Sequence, residues 1–256
     1  MDKEAKYQVP VLGKTFAVIE LISQNAEGVT FSEIVATLAE PKATVYRILQ
    51  TLEQNNWVEK RQDRYVLGYM LIHYGLIALG NRDIRTQALP FLKELTDELH
   101  ESSHLAVLSG KKSMILEVAE SSRHIKPSST IGSLLPTYCT SHGKILLAFA
   151  VEERLEEFLR GEKFLPKTKR TLTSLDDLKR EIEKIRRLGY AMDDLEYYDD
   201  VRCLAAPVWG PGRKCIGALG ITATTMTFPE ERIEEIAAIV CGTAERLSLS
   251  MGGRAV

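Results

Sequence analysis

Residues 41–53, with the sequence PKATVYRILQTLE, constrain the fold of this chain more than any other stretch. Apolar side chains recur there at i, i+3, i+4 and i+7, which predicts a helix with one buried stripe made by Val45, Ile48, Leu49 and Leu52. Pro41 suits the first position of such a helix. The other side chains are small, hydroxylated, amide or cationic, and these groups fit the base edges and phosphates of a DNA major groove.

The residues before this helix predict a second, shorter helix. Thr30 and Glu33 match a capping box, and Val29 and Ile34 are placed as its hydrophobic staple. A helix is therefore expected from about residue 31 to residue 39, and two short helices joined by a tight turn make a helix-turn-helix. An earlier helix over residues 11–23 is expected to bury Leu12, Phe16, Ile19 and Ile22.

A hairpin is expected after the three helices, with strands over residues 57–60 and 64–67 and a basic turn between them. This order predicts a winged helix-turn-helix, with the tip of the wing along the phosphate backbone or a minor groove. Residues 1–66 contain eight Lys or Arg and nine Asp or Glu, and this net charge of −1 argues against DNA binding. The cations nevertheless fall on the two elements that would touch DNA, as Lys42, Arg47, Lys60, Arg61 and Arg64.

Residues 9–70 resemble the DNA-binding domain of the IclR family of bacterial transcription regulators, and the similarity continues over nearly the whole chain. The matching stretches are KTFAVIELI, TFSEIVATL, PKATVYRILQTLEQNNWVEK and RYVLGYML. The resemblance implies a set of DNA-contacting residues: Lys14, Lys42, Ala43, Thr44, Tyr46 and Arg47, with Arg61 and Arg64 in the wing. One departure is Ala39-Glu40, where the family usually has Gly-Leu, and it puts an anion near the start of the reading helix.

Length and composition limit the remaining possibilities. The 256 residues, 45% of them hydrophobic, suit one large domain or two modest ones. No apolar run approaches 18 residues, so no membrane span is expected, and residues 1–10 lack the pattern of a secretory signal. The four cysteines are irregularly spaced, which disfavours a disulfide framework and fits a reducing cytoplasm. A cytoplasmic protein is therefore expected.

The proposed division of the chain is a DNA-binding domain over residues 1–68, a linker helix over 69–83 and a second domain over 84–256. The linker is apolar almost all round, so it is expected to pack between the domains or against a second copy of itself. Strands are expected over residues 104–109, 113–120, 203–209 and 215–222, and helices over 84–100, 141–150, 152–160, 175–188 and after residue 229. This mixture predicts an α+β fold. The resemblance implies a GAF/PAS-like domain that binds a small effector, in dimers that can pair into tetramers.

An effector pocket is expected where a helix begins near Ser141, because free N–H groups at a helix start bind carboxylates. A small organic acid is therefore the expected ligand. The resemblance places a set of residues around it: Leu135, Ser141, His142, Asp193, Val201, Cys203, Gly220 and Thr222. His142 stands where the family usually has a small residue. We expect it either to narrow the pocket and favour an anionic or hydrogen-bonding ligand, or simply to pack or face solvent.

Two groups of residues could form a metal site. Residues 100–104 read HESSH and fit the H-E-x-x-H zinc motif, but the apolar helical period stops near Leu99 and His104 begins a strand-like run. Cys139, His142, Asp193 and Cys203 are plausible metal ligands if they converge, although their spacing does not require it and ordinary pocket residues are the favoured interpretation. No nucleophile elbow or phosphate-binding glycine loop is present, and no cofactor is expected.

These observations predict a ligand-responsive transcription regulator, not an enzyme. Its winged helix-turn-helix would bind a palindromic double-stranded operator as part of a homodimer, and an acidic metabolite would alter that binding. The alternative is a small-molecule sensor or a metabolic enzyme with a metal in the C-terminal pocket. Salt dependence distinguishes the two, because binding to several phosphates weakens steeply as salt rises.

Overall fold

The computed structural model describes residues 9–80, 83–151 and 154–253. By its internal contacts the chain divides into two compact units, residues 1–82 and 83–256. Within the described ranges no helix is both long and apolar enough to cross a membrane.

The first unit is a helix-turn-helix followed by a wing. Its elements in chain order are α1 (Pro10–Ser23), β1 (Val29–Thr30), α2 (Phe31–Leu38), α3 (Lys42–Gln54), β2 (Val58–Arg61), β3 (Arg64–Leu67) and α4 (Tyr69–Gly80). The three strands form an antiparallel sheet in the order β1-β3-β2. The expected hairpin is confirmed, and β1, which sequence reasoning missed, adds a third strand to it.

Local sequence signals account for the two central helices. The Thr30 hydroxyl accepts the Glu33 N–H at 3.3 Å and the Glu33 carboxylate accepts the Thr30 N–H at 2.7 Å, so the capping box is present. The apolar stripe of α3 is buried in the core of the unit, as expected. Pro41 differs slightly from expectation because its extended ψ of 133° makes it the N-cap, one residue before the helix.

The predicted buried side of α1 is confirmed at Ile22 and in part at Ile19, and is wrong at Leu12 and Phe16. Val18 and Ile22 are almost fully buried, whereas Leu12 is 51% and Phe16 63% exposed. The Val18 and Ile22 side chains face the core, and the apolar side chains of the first two turns of the helix are left exposed. On α4, Tyr69 and Leu76 are also largely exposed. The first unit thus presents large apolar side chains on two of its helices.

The second unit combines helices with a six-stranded antiparallel sheet in the order β6-β5-β4-β9-β8-β7. The strands are β4 (Ser102–Ser109), β5 (Lys112–Ala119), β6 (Leu134–Pro136), β7 (Ala191–Asp194), β8 (Val201–Trp209) and β9 (Cys215–Thr224). The helices are α5 (Asp83–Leu99), α6 (Ser141–Leu146), α7 (Leu155–Phe158), α8 (Leu175–Leu188) and α9 (Ile233–Ser250). The α+β class is confirmed, and the edge strands β6 and β7 were not foreseen.

The two faces of this sheet carry different helices. On one face the Ser103 hydroxyl donates to the Leu92 carbonyl of α5 at 2.7 Å, and the Trp209 N–H donates to Ser248 of α9 at 2.9 Å. His104, the next residue after Ser103, lies on the opposite face and packs its ring against His142 of α6. The sheet therefore separates α5 and α9 from α6.

Helix α6 does not run on as the regular helix expected over residues 141–150. It continues as a π-helical segment, Leu147–Val151, and the Ala148 carbonyl there accepts a hydrogen bond from Arg186 of α8 at 3.0 Å. Of the helix expected over residues 152–160, positions 152 and 153 lie outside the described residues and α7 is the described part. Helix α8 has the predicted bounds, begins at the Ser174 cap and ends at Gly189.

Candidate functional site

The outward face of α3 is open, as a reading face requires. The helix turns its stripe of Val45, Ile48, Leu49 and Leu52 to the core. On the other side, four side chains are exposed and Thr44 is half-buried; the exposed ones are Lys42, Ala43, Tyr46 and Arg47. The Tyr46 ring packs edge-on against Phe31 of α2, with 6.5 Å between ring centroids. This contact holds one large polar side chain of the face in position.

The other expected DNA-contacting cations already have partners within the unit. The Lys14 ammonium lies 2.6 Å from a Glu40 carboxylate oxygen, and the Arg64 guanidinium donates to the Gly28 carbonyl at 2.8 Å. Arg61, near the tip of the wing, lies 3.1 Å from Glu59. Among the described residues, Lys42 and Arg47 of α3 form no ion pair, and Lys60 of the wing lies over the Tyr65 ring, 5.7 Å from its centroid.

The departure at Ala39-Glu40 has a visible structural effect. Ala39 ends α2 in the left-handed conformation, with φ 52° and ψ 32°, a position that glycine occupies at lower cost. Glu40 then supplies the carboxylate that pairs with Lys14.

In the second unit, strand register places most of the expected effector residues on one face of the sheet. Asp193 is opposite Cys203, Cys203 is opposite Thr222, and Gly220 is opposite His104. Directly paired residues of antiparallel strands share a face, so these positions all lie on the α6 side. Val201 lies two residues before Cys203 and shares that face.

Leu135 is the expected residue that lies away from this group. It pairs with Ser113 on β5, and Ser113 pairs with Leu108, four residues along β4 from His104. At about 3.4 Å per strand residue this is a separation of about 14 Å along β4.

A chain of polar contacts runs across the buried face. The Cys203 thiol donates to the Thr222 hydroxyl, and the Thr222 oxygen lies 3.4 Å from Nδ1 of His104. The His104 ring meets the His142 ring edge-on with 5.2 Å between centroids. Both histidines are buried, so of the alternatives given for His142, exposure to solvent is wrong, and narrowing of the pocket and simple packing stay open. His104 was missed by sequence reasoning as a site residue, because only the register of β4 with β9 brings it here.

Three polar atoms of this cluster have no hydrogen-bond partner among the described residues. They are Nε2 of His104, Nδ1 of His142 and Oγ of Ser141, and all three residues are buried. Leaving a buried polar atom unpaired costs about 1–3 kcal/mol. A hydrogen-bonding ligand at this place would remove that cost.

Burial keeps both imidazoles uncharged near neutral pH. It lowers the pKa of His104 to about 4. Burial, together with the neighbouring His104, also lowers the pKa of His142 well below its usual range. The site is therefore neutral at the position where the unpaired atoms lie.

Beside the histidines lies a cluster of buried charges. Asp193 accepts the backbone N–H groups of Glu196 at 2.8 Å and Tyr197 at 3.2 Å, while burial and the charge of Glu196 raise the pKa of Asp193 to about 7. The ammonium of Lys144, fully buried on α6, pairs with Glu196 and lies 3.3 Å from Glu181. Sequence reasoning gave no role to this lysine.

The residues weighed as metal ligands are not grouped for that purpose. Among the described residues, no three His, Cys, Asp or Glu side chains are arranged to hold a metal ion. Burial raises the pKa of Cys139 to about 12 and also raises that of Cys203, so both are thiols at neutral pH in the metal-free protein.

The H-E-x-x-H match at residues 100–104 also lacks the geometry that zinc needs. Helix α5 ends at Leu99, His100 is left-handed with φ 58°, and β4 begins at Ser102. The two histidines therefore do not share a helical turn. Glu101, between them, is buried and paired with Arg123 at 3.1 Å.

Comparison with known proteins matches both units. The IclR helix-turn-helix domain model matches residues 11–62, and the model described as the bacterial transcriptional regulator IclR C-terminal domain matches residues 76–249. The HTH-type transcriptional regulator KdgR of Escherichia coli (strain K12) is 30% identical over 254 residues, which covers 98% of this chain and 96% of that protein.

Solved structures give the same result. The crystal structure of the Thermotoga maritima IclR is 31% identical, with a TM-score of 0.72, and the match covers 96% of this chain and 100% of that one. An IclR homolog from Microbacterium hydrocarbonoxydans, complexed with 4-hydroxybenzoate, is 23% identical, with a TM-score of 0.79 and coverage of 94% and 99%. At that identity the likeness shows a common fold.

Proposed function

The chain belongs to the IclR family of bacterial transcriptional regulators, and we propose that it binds operator DNA through the exposed face of α3 while a small acid bound beside α6 sets the affinity. It is accordingly a transcription regulator with a helix-turn-helix and a C-terminal effector domain. What the family does not supply is the set of residues that act in this chain.

The exposed face of α3 is the single observation that carries the DNA-binding proposal. Lys42 and Arg47 stand one turn and a half apart on it, with Thr44 and Tyr46 between them. An arginine pairs with guanine edges in the major groove and a lysine with bases or phosphates. The wing would then lie along the backbone, with Arg61 near its tip.

The proposal includes a homodimer on a palindromic operator. Large apolar side chains of α1 and α4, among them Phe16, Tyr69 and Leu76, are exposed, and contiguous exposed apolar surface marks an interaction site. A second copy would cover them and would set two α3 helices against two half-sites. As the linker helix, α4 would connect DNA binding to the effector domain, and pairing of dimers into tetramers is part of the same proposal.

For the effector we propose a small organic acid held at His104, His142 and Ser141. The three unpaired buried atoms support a ligand that offers hydrogen-bonding oxygens. Such a ligand changes operator binding only if it binds the two states of the dimer with different affinity. Because DNA is the partner, the place of action would be the cytoplasm.

The DNA-binding half is tested by selecting duplexes from a random library with the full chain and measuring binding by fluorescence anisotropy over a range of salt. We expect saturable binding to a palindrome, weakening steeply as salt rises. Absence of saturable binding to any selected duplex would contradict it.

The effector half is tested by a thermal-shift screen against keto, hydroxy, sugar and aromatic acids, with and without EDTA. We expect a concentration-dependent rise in melting temperature for one class of acid. The acid that raises it should also change operator affinity. A rise that EDTA abolishes would instead support a metal-dependent site.

A further inference from the structure

We propose that His104 and His142 together form the carboxylate-binding part of the effector site, and that a carboxylate effector binds with uptake of one proton by this imidazole pair. The inference rests on the proposed function, since it concerns the same site. It adds a residue, His104, a chemical class of ligand and a dependence of binding on pH.

We assign the proton of neutral His104 to Nε2, a tautomer that the hydrogen-bond chain allows. The Cys203 thiol donates to the Thr222 oxygen, so the single hydrogen of the Thr222 hydroxyl is free to be donated to Nδ1 of His104. A neutral ring that accepts at Nδ1 carries its proton on Nε2. The unpaired Nε2 is therefore an N–H donor, and a ligand must offer it an acceptor.

Two further unpaired polar atoms lie on α6, so a ligand could make a second polar contact there. Ser141 Oγ and His142 Nδ1 come from adjacent residues of α6, and the ring of His142 lies 5.2 Å from that of His104. All of these side chains are at least nine-tenths buried. A carboxylate has two acceptor oxygens and can meet donors from the sheet and from α6 at the same time.

Charge balance then requires a proton. Burying a carboxylate beside two neutral rings is costly unless an opposite charge is supplied. An imidazole that takes up one proton supplies it and adds a second N–H donor. The site would change from two neutral rings without ligand to an imidazolium–carboxylate pair with ligand.

The other ionisable groups on the packed elements do not supply that charge. Lys144 of α6 is committed to Glu196 and Glu181. On the far face of the sheet, Glu117 of β5 pairs with Arg85, and Arg202 of β8 pairs with Asp194. On the same face, β8 presents the Cys203 thiol, β7 presents Asp193, an acid that cannot become a cation, and β9 presents Thr222.

The test is isothermal titration calorimetry on the purified 256-residue chain with pyruvate, D-gluconate and 4-hydroxybenzoate as probes, each beside its neutral amide. Titrations at pH 6 and pH 8, in buffers of low and high ionisation enthalpy, count the protons taken up. We expect at least one acid to bind more tightly by up to about tenfold for each unit of fall in pH, with uptake approaching one proton. Its amide should bind at least about tenfold more weakly.

Substitutions locate the proton. His104→Gln and His142→Gln keep a hydrogen-bonding side chain but cannot take up a proton, so each should weaken acid binding and reduce its pH dependence. His124→Gln, on an exposed loop, is the matched control and should leave both unchanged. Asp193→Asn should leave the pH dependence in place.

Several outcomes would overturn the inference. They are acid binding without proton uptake, a pH dependence that survives in both glutamine variants, a pH dependence that Asp193→Asn alone abolishes, equal binding of acid and amide, and no binding of any acid at about 10 mM. If the glutamine variants do not fold, the proton count of the wild type decides alone. Operator binding is measured separately, so each of these failures leaves the DNA-binding proposal standing.

Discussion

The ammonium nitrogen of Lys14 lies 2.6 Å from Oε2 of Glu40, so a cation expected on the DNA backbone is neutralised by an anion next to the reading helix. Both side chains are only partly exposed, at 36% and 24%. This pair leaves the DNA-binding unit with one fewer free cation, and it gives the first prediction.

Glu40→Gln should increase operator affinity and steepen its salt dependence, because Lys14 becomes free to pair with a phosphate. One additional phosphate contact adds about 0.9 to the slope of log affinity against log salt. Glu20→Gln removes the same charge from an exposed position of α1 and serves as the control. Equal slopes for the two variants in anisotropy titrations would show that Lys14 does not reach DNA.

Arg47→Ala and Lys42→Ala should each weaken operator binding by about 1–3 kcal/mol if they reach base edges. Arg180→Ala removes an exposed cation from α8 in the other unit and should have no effect. The measurement is anisotropy with the selected duplex at one fixed salt concentration. Unchanged affinity in both α3 variants would contradict the assignment of α3 as the reading helix.

Ala39→Gly should stabilise the first unit by about 0.5–1 kcal/mol. The steric free-energy cost of the left-handed conformation, which glycine avoids, exceeds the entropy cost of ordering the more flexible glycine on folding. Ala36→Gly, in the exposed interior of α2, should destabilise it by about 1 kcal/mol. Urea unfolding followed by Trp57 fluorescence, in a Trp209→Phe background, reports on this unit. Destabilisation by both glycines would contradict the strain at Ala39.

Lys144→Met should destabilise the second unit by about 3–5 kcal/mol, because Glu196 and Glu181 would keep buried charge without its partner. The double variant Lys144→Met with Glu196→Gln should recover part of the loss. Denaturation followed by Trp209 fluorescence measures both variants. A double variant no more stable than the single one would show that packing, and not charge, is what Lys144 provides.

Asp193→Asn should change how stability depends on pH. Because the folded pKa of Asp193 is raised from 3.8 to about 7, the native state binds more protons than the unfolded chain between these values, and stability falls as pH rises through that window. Removing the ionisable group should therefore raise stability at pH 8, by at most roughly 4 kcal/mol, and change it little below pH 4. Identical pH profiles for the two proteins would contradict the raised pKa.

The histidines act in the opposite direction. The pKa of His104 falls from 6.5 to about 4 on folding, so the unfolded chain binds more protons between these values and stability is lost as pH falls through them. The two windows overlap between about pH 4 and 6.5. Differences between each variant and the wild type, and not the wild-type profile alone, separate the two contributions.

Sequence reasoning worked best where neighbouring residues determine the structure. The capping box at Thr30, the stripe of α3 and the bounds of α8 depend on contacts within a few residues. It failed where distant parts of the chain decide. The four residues of β7 have no distinctive alternation of apolar and polar side chains. Whether Phe16 is buried depends on which side of α1 packs against the core, and distant residues decide this.

The effector site shows the same limit. The resemblance to a family indicated His142, but His104 comes 38 positions earlier and meets it only through the pairing of β4 with β9 and the position of α6. A lysine in an apolar run such as residues 144–151 would be expected at the surface. Lys144 is instead buried, because its partner Glu196 arrives from 52 residues further along the chain.

Helix α6, which carries Ser141 and His142, is fastened to α8 at two levels. Lys144 of α6 pairs with Glu181. In the π-helical segment that follows, the Ala148 carbonyl accepts a hydrogen bond from the side-chain Nε–H of Arg186. These two contacts couple the α6 segment to α8, so a tilt of α6 would move α8 with it. A small displacement at His142 would therefore be transmitted to the charged outer surface of α8, away from the proposed ligand site.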